Sequence, residues 1–141
     1  MRRPELLAPA GNFQKMQYAV AFGADAVYAG LSGLNLRQGS DNFTPEELQE
    51  ALKWVHTQGK KLYLALNIFA RQPHIERLKE VLPVLSELPL DGIILSDPGI
   101  LSLLQESCPG IPLHLSTQAN TLNAESARFW FKNGISRIIL A

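Results

Sequence analysis

Cysteine is nearly absent from this sequence, because Cys108 is the only one among 141 residues. A single thiol excludes an internal disulfide framework and any metal or iron–sulfur site built from several thiolates within this chain. Lysine plus arginine equals aspartate plus glutamate at 13 each, so the formal net charge is zero and a strongly basic nucleic-acid surface gains no support. No apolar run is long enough to span a bilayer, and the first residues lead into a strand and not into a signal peptide. We therefore expect a cytoplasmic protein without membrane association.

Sequence signatures of catalysis are missing as well. The chain has no Walker sequence, no GxGxxG fingerprint and no serine in a GxSxG elbow. His56 and His74 belong to no metal-ligand motif, and no pair of carboxylates has a clear role. The sequence therefore predicts no metal site within the chain and leaves the catalytic residues unknown.

A regular alternation of short apolar runs and helical patterns is what the sequence does contain. Six predicted strands and five predicted helices follow one another along the chain, which indicates an α/β fold with a parallel sheet. The closed form of such a repeat is a TIM-type barrel of eight units and about 250 residues. We expect residues 1–141 to be the N-terminal part of a (β/α) barrel domain, incomplete and truncated after a sixth strand, Arg137–Ala141. The open edges of strands one and six predict a homo-oligomer.

Capping residues mark the starts of four helices. The run Thr44-Pro45-Glu46-Glu47 predicts a capping box, with threonine as the N-cap and proline in the first turn. Asn12, Asp97 and Asn123 stand at the same position before three other helical patterns. These signals fix where the helices begin more firmly than where they end.

Proline and glycine make three further predictions about element boundaries. Strand one should span Glu5–Ala8 and stop at Pro9. Pro83 lies inside the third predicted helix and should kink or divide it. The loop from Gly30 to Phe43, rich in glycine and small polar residues, should have little apolar surface to bury.

Alternation within the strands predicts which side of the sheet faces the helices. In the third strand, leucines alternate with Tyr63, Ala65 and Asn67; in the fifth, leucines alternate with His114 and Ser116. We expect the all-leucine face to pack against the helices, which leaves the mixed face to line the barrel interior. Polar residues at the carboxyl ends of the strands then lie where barrel enzymes place their active sites.

Five residues emerge as candidates for binding a substrate: Asn67, Ser116, Gln118, Asn120 and Arg37. The four polar residues at the strand ends could bind a substrate through hydrogen bonds, or they could satisfy the backbone groups of the loops; for Asn120 we favour the structural alternative. Arg37 is the only cation in the long loop after strand two. It could clamp a phosphate or a carboxylate, or it could be a solvated loop arginine.

Three other residues carry weaker functional readings. Asp97 could be a catalytic carboxylate, but the pair Asp97-Pro98 at a helix start is first of all an N-cap. His114 should point inward in the middle of strand five, where we expect a hydrogen-bonded interior histidine in preference to a general base. Cys108 lies in a loop without a nucleophile signature.

Four stretches of the sequence resemble the N-terminal part of the peptidase U32 family, the collagenase-like proteases: Pro4–Gly11, Gly23–Gly30, Ile94–Gly99 and His114–Asn120. The resemblance covers essentially the whole chain. The stretches Asp97-Pro98-Gly99 and Ser116–Asn120 are most similar to the branch linked to 5-hydroxyuridine formation in transfer RNA. Other branches of the family act in ribosomal RNA hydroxylation and in oxygen-independent ubiquinone hydroxylation.

The resemblance implies a cofactor that this chain does not itself bind. In the family, a set of cysteines binds an iron–sulfur cluster, and this set belongs to a region after the end of the present sequence. Cys108 matches none of those ligands. The resemblance therefore implies no cofactor in this chain, an iron–sulfur cluster beyond it, and transfer RNA as a partner of the parent protein.

Three functional hypotheses stay open on the sequence alone. The first is an RNA-modifying hydroxylase, in which this segment forms the substrate-side wall and is inactive by itself. The second is peptide hydrolysis, which the sequence supports poorly because it has no activated nucleophile pair and no metal-ligand spacing. The third is a non-catalytic binding or assembly module that pairs through its sheet edges.

Overall fold

Parallel strands form a single sheet in chain order in the computed structural model, which describes residues 3–36 and 41–140. Within this described part, six strands alternate with five α-helices. The elements are β1 (Leu7–Pro9), α1 (Phe13–Ala21), β2 (Ala26–Gly30), α2 (Pro45–Thr57), β3 (Lys61–Leu66), α3 (Gln72–Glu87), β4 (Gly92–Leu95), α4 (Pro98–Ser107), β5 (Leu113–Leu115), α5 (Ala124–Lys132) and β6 (Arg137–Ile138). A short 3₁₀ turn, Thr117–Ala119, lies between β5 and α5. The expected incomplete (β/α) barrel is confirmed.

Side-chain caps start the helices where the sequence predicted them. At α2, the Glu47 amide donates to Thr44 Oγ1 at 3.2 Å, and the Thr44 amide donates to Glu47 Oε2 at 2.8 Å. Asn12, Asp97 and Asn123 each accept one backbone N–H at 2.9 Å. Each bond satisfies a donor that the first helical turn leaves without a partner, so these short polar side chains fix the helix starts locally.

The two faces of the sheet bury different residues, as the alternation predicted. The leucines of β3 and β5 belong to the main core between the sheet and the helices. On the other face, Tyr63 forms a small buried cluster with Ala26 and Ile94, against which Leu7 and Ile139 pack. The mixed face is therefore the inner face of the curled sheet.

The sheet curls enough for a side chain of β6 to meet a side chain just before β1. β1 and β6 lie at opposite edges, yet Arg137 Nη1 donates to Glu5 Oε1 at 2.7 Å. A flat six-stranded sheet would hold these strands far apart, since neighbouring strands are spaced about 4.8 Å. This contact crosses the interior and shows a half-barrel curvature.

Three boundary predictions were wrong. β1 includes Pro9 in place of Glu5 and Leu6; an edge strand tolerates proline because one side of it needs no N–H donor. Pro83 does not divide α3, which is one helix from Gln72 to Glu87, whereas a kink at Pro83 stays a prediction. β6 ends at Ile138, and Ala141 lies outside the described residues.

The loop after β2 also buries more apolar surface than its composition predicted. Leu31, Leu34 and Phe43 are each at most 2 % exposed, and Leu31 forms an isolated parallel bridge with Phe43. The apolar residues of this loop are few, but they fold back onto the core. The prediction of little apolar burial was therefore wrong for these described residues.

Candidate functional site

A cavity of about 620 Å³ opens on the inner face of the sheet at the carboxyl ends of the strands. Its walls come from β1 to β4, from residues that follow β1, β2, β3 and β5, and from Ile139 after β6. This volume is within the range that takes a nucleoside or a small organic ligand. The cavity lies where sequence reasoning placed the functional end of the barrel.

Three of the five predicted site residues meet in one hydrogen-bonded group, which we call the amide cluster: Asn67, Ser116 and Gln118. Asn67 Nδ2 donates to Gln118 Oε1 at 3.2 Å, and the Ser116 hydroxyl donates to the same oxygen. All three residues line the cavity. The prediction that they share one end of the barrel is confirmed, whereas their role in substrate binding stays a prediction.

Two strands that are not neighbours bring the amide cluster together. Asn67 directly follows β3, and Ser116 directly follows β5, with β4 between them in the sheet. The Ser116 amide donates to the Leu95 carbonyl at 2.7 Å, which extends the ladder to β4 by one residue. Gln118 then stands in the 3₁₀ turn and reaches back across the end of β4 to Asn67.

Asn67 retains one unused hydrogen-bonding group. Its Oδ1 is buried and has no hydrogen-bond partner within the part of the chain that the structure describes. A buried acceptor without a partner lowers stability by about 1–3 kcal/mol. A ligand that donates a hydrogen bond to this atom would remove that cost. The exposed Gln118 side chain lies beside it at the cavity wall.

The opposite wall carries an ion pair that sequence reasoning missed. Lys15 Nζ lies 3.2 Å from Asp41 Oδ2, and Asn12 Nδ2 donates to the same oxygen at 2.6 Å. The hydrogen bonds from Lys15 and Asn12, together with the Lys15 charge, lower the pKa of Asp41. Lys15 and Asp41 follow β1 and β2 at the same barrel end, and that position was the only signal that could have found them.

A second missed feature is a pair of asparagines beside Gly30. Asn35 Nδ2 donates to Asn42 Oδ1 at 2.8 Å, and both residues line the cavity. A Cβ on Gly30 would lie only 1.6 Å from Asn35 Nδ2. Glycine is therefore required at this strand end, because any side chain would displace the Asn35–Asn42 pair.

Asn120 and Asp97 do not line the cavity. Asn120 ends the 3₁₀ turn in a left-handed conformation with φ of 54°, and its amide donates to the Thr117 carbonyl at 3.0 Å. This supports the structural alternative for Asn120. Asp97 is the N-cap of α4. Arg37 lies outside the described residues.

Charged groups gather at the other end of the barrel interior, in what we call the floor cluster: Glu5, Lys61, Tyr63, His114 and Arg137. The Tyr63 hydroxyl donates to the Glu5 carboxylate, with both oxygens at 3.0 Å, and Lys61 lies 3.5 Å from it. Burial by itself raises the pKa of Glu5, but the hydrogen bonds from Arg137 and Tyr63 and the two cationic charges outweigh it and leave that pKa lowered. Burial and the Glu5 carboxylate raise the pKa of Tyr63.

His114 is a buried member of the floor cluster. It is 4 % exposed, and its ring meets the Tyr63 ring edge-on at 4.9 Å. Burial and then the Arg137 charge lower its pKa to about 4. The inward orientation is confirmed, but the expected hydrogen bond was wrong for Nδ1, which has no partner among the residues described.

The described residues do not fit an iron–sulfur cluster. Across residues 3–36 and 41–140, no three His, Cys, Asp or Glu side chains are grouped to hold a metal ion. Cys108 is a single buried thiol, and burial raises its pKa, which opposes the thiolate that a cluster needs. No described helix is both long and apolar enough to cross a membrane.

Comparison with known proteins gives a consistent picture. The profile described as Peptidase family U32 matches residues 11–141. The chain is 40 % identical over 140 residues to tRNA hydroxylation protein P1 of Bacillus subtilis, covering 99 % of this chain and 33 % of the relative. It is 43 % identical over 145 residues to tRNA hydroxylation protein P of Escherichia coli, covering 100 % and 31 %. A relative from Methanocaldococcus jannaschii, described as an uncharacterized protease, is 38 % identical over 137 residues, covering 97 % and 33 %.

The chain spans about a third of the length of these curated relatives. Among solved structures, one described as a U32 peptidase superposes with a TM-score of 0.74 at 14 % sequence identity. That superposition covers 99 % of this chain and 59 % of the other. At this identity the likeness supports the barrel fold alone.

Proposed function

Because the chain belongs to peptidase family U32, we propose that it forms the substrate-binding wall of an enzyme that hydroxylates uridine in transfer RNA. The relatives named tRNA hydroxylation proteins suggest the substrate and the reaction. The chain covers only part of those proteins, so the proposal assigns the reaction to the whole protein and recognition of the base to this segment. A transfer RNA substrate also favours a cytoplasmic location.

The observation that carries the proposal is the amide cluster at the wall of the cavity. The edge of uracil presents one N–H donor between two carbonyl acceptors, and the unpartnered Asn67 Oδ1 suits that donor. The Gln118 amide nitrogen could donate to a neighbouring carbonyl. Enzymes that modify a base turn it out of its stack into a pocket and recognise it by such contacts.

The chemistry of the cavity favours recognition of a neutral base. Amide groups neither take up nor release protons at physiological pH, so they orient a substrate without acting as an acid or a base. The Ser116 hydroxyl donates to the Gln118 amide and not to a histidine or a carboxylate. This arrangement does not activate a serine nucleophile, which argues against the peptide hydrolysis suggested by the protease-named relative.

Two further parts of the proposal concern the cofactor of the whole protein and the self-association of this segment by itself. We place the iron–sulfur cluster implied by the family in a region beyond this chain, since the described residues do not fit one. Self-association is expected through β1 and β6, each of which pairs with one neighbour only. Sedimentation velocity over a range of concentrations tests this second point, and a monomer at every concentration contradicts it.

The function is tested in cells that lack the gene of this protein. Hydrolysed transfer RNA from these cells is analysed by mass spectrometry for 5-hydroxyuridine and nucleosides derived from it. We expect these nucleosides to be lost and to return with the wild-type gene. The variants Asn67→Ala and Gln118→Ala should restore about a tenth or less of the modification, because a site built to hydrogen-bond its substrate discriminates strongly.

Asn120→Gly is the matched control, since Asn120 lies on the same turn outside the cavity in a conformation that glycine adopts freely. It should restore modification to the wild-type level. Unchanged 5-hydroxyuridine in the deletion strain contradicts the proposed function. Hydrolysis of casein or collagen that stays at constant specific activity through purification, and falls in Gln118→Ala, would favour the peptidase hypothesis.

A further inference from the structure

The loop after β3 carries an exposed aromatic residue next to the cavity. Asn67 faces the cavity and Ile68 is buried, so the next residue, Phe69, points outward with 70 % of its surface exposed. The backbone then enters α3, where the Arg71 amide donates to His74 Nδ1 at 3.0 Å. Phe69 is therefore held at the mouth of the cavity on a short connection between two fixed points.

Two unpaired arginines accompany Phe69. Lys15, Lys60, Lys61, Arg128 and Arg137 each lie within ion-pair distance of a carboxylate. Arg71 and Arg77 have no such partner within the described ranges, and both are exposed. A single exposed phenylalanine needs no explanation, but an exposed phenylalanine flanked by free guanidinium groups matches the surfaces that bind single-stranded RNA.

Arg77 reaches the same rim from the second turn of α3. A Cβ on Gly33 would lie 2.9 Å from Arg77 Nε, and Gly33 has φ of +79°. The guanidinium therefore lies against the loop after β2, which lines the cavity through Asn35 and Leu36. Glycine permits this approach and the left-handed backbone together.

We propose that Phe69, Arg71 and Arg77, the rim patch, hold the RNA strand on either side of the target uridine. Phe69 stacks on a neighbouring base, and the two guanidinium groups bind phosphates of the backbone. Aromatic stacking accepts any base, and the planar guanidinium matches the phosphate geometry. This inference rests on the proposed function, since it assigns the strand-binding surface of the same substrate.

Binding of transfer RNA from the deletion strain to the purified protein at its natural length tests the rim patch, by fluorescence anisotropy at several salt concentrations. Phe69→Ala should weaken binding about 5- to 10-fold, and Phe69→Trp should restore it, because stacking needs an aromatic face. Arg71→Ala and Arg77→Ala should each lower the slope of log affinity against log salt by about one.

Matched controls lie on helices away from the cavity. Phe22→Ala removes a phenylalanine at the end of α1 that is 86 % exposed. Lys132→Ala removes an exposed cation at the end of α5 that has no ion-pair partner among the described residues. Both should bind transfer RNA like the wild type. If Phe69→Ala and Arg71→Ala also bind like the wild type in a protein that restores 5-hydroxyuridine in cells, the rim patch is wrong and the proposed function stands. If the deletion strain keeps its 5-hydroxyuridine, the proposed function fails and the rim patch fails with it.

Discussion

The two ends of the same strands carry different chemistry. At the amino end, the floor cluster joins the Glu5 carboxylate to Tyr63 and Arg137 by hydrogen bonds at 2.7–3.0 Å. At the carboxyl end, the amide cluster is neutral, and Asn67 Oδ1 has no partner in the part of the chain that the structure describes. Tyr63 lies on β3 and Asn67 directly follows that strand, so the same stretch of chain supplies a residue to each end.

The difference separates stability from binding. The Glu5 carboxylate has its oxygens occupied by chain donors, so it contributes to holding β1, β3 and β6 together. The amide cluster retains an acceptor that water or a ligand must satisfy, which costs stability in the empty state. Functional sites commonly retain groups that lower the stability of the fold. We therefore expect floor variants to change stability and cavity variants to change recognition.

Acidification should produce the largest effect, through His114. Its folded pKa is about 4, below the ordinary value near 6.5, so the unfolded chain binds the proton more readily and stability falls as pH drops from about 6.5 to about 4. A shift of this size corresponds to about 3 kcal/mol. Between pH 7 and pH 5 about 2 kcal/mol of this should be lost, and urea unfolding of the wild type and His114→Gln at these two pH values measures it. A variant with the same pH dependence as the wild type would contradict the role of His114.

Tyr63→Phe should cost about 1–2 kcal/mol, since it removes a buried hydroxyl bonded to a carboxylate. Glu5 keeps Arg137 and Lys61, which limits the loss. The control Tyr18→Phe changes a hydroxyl on a residue that is 58 % exposed and should be near neutral. If both variants unfold at the same urea concentration, the Tyr63 hydroxyl contributes no more to stability than an exposed hydroxyl, and the stabilising role of the floor cluster is contradicted.

Arg137→Gln should destabilise the protein by about 1 kcal/mol, because Arg137 is partly exposed and solvent screens its charge. The matched change Arg128→Gln disrupts an exposed pair with Glu125 on α5 and should cost less. Thermal unfolding of both variants at low and high salt compares them. The Arg137 effect should be larger at both salt concentrations.

Asn67→Ala should have the smallest effect on stability, within about 0.5 kcal/mol. It removes the long hydrogen bond from Nδ2 to Gln118 at 3.2 Å, but it also removes the buried Oδ1, which has no partner among the described residues, and the two effects should largely cancel. Asn123→Ala is the contrasting control: its side chain accepts the Ser126 amide at 2.9 Å as an N-cap and should cost about 1 kcal/mol. A loss above 2 kcal/mol in Asn67→Ala would mean that the amide cluster stabilises the fold, and the separation of the two ends would fail.

Much of the fold could be predicted from the sequence because its signals are local. The caps at Thr44, Asp97 and Asn123 depend on residues three positions apart. Alternation along β3 and β5 predicted which faces meet the helices, since side chains alternate along any strand. The same rule placed Asn67 and Ser116 at the carboxyl ends of the strands.

Sequence reasoning failed where loop conformation decides the neighbours. Asp41 and Lys15 are 26 positions apart and meet only because the loops after β1 and β2 fold over the same barrel end. Pro9 continues β1 because the strand has one free edge, a fact about its place in the sheet and not about its own residues.

The sequence by itself determined the alternating elements, their caps, the buried face of each strand and the barrel end that carries the polar residues. These depend on interactions within a few residues and on fixed backbone periods. Only the tertiary structure decided that Gln118 reaches Asn67, 51 positions away, and that Arg137 reaches Glu5, 132 positions away. Both contacts depend on how far the sheet curls, and curl is the accumulated twist of every strand pair, which no local stretch of sequence specifies.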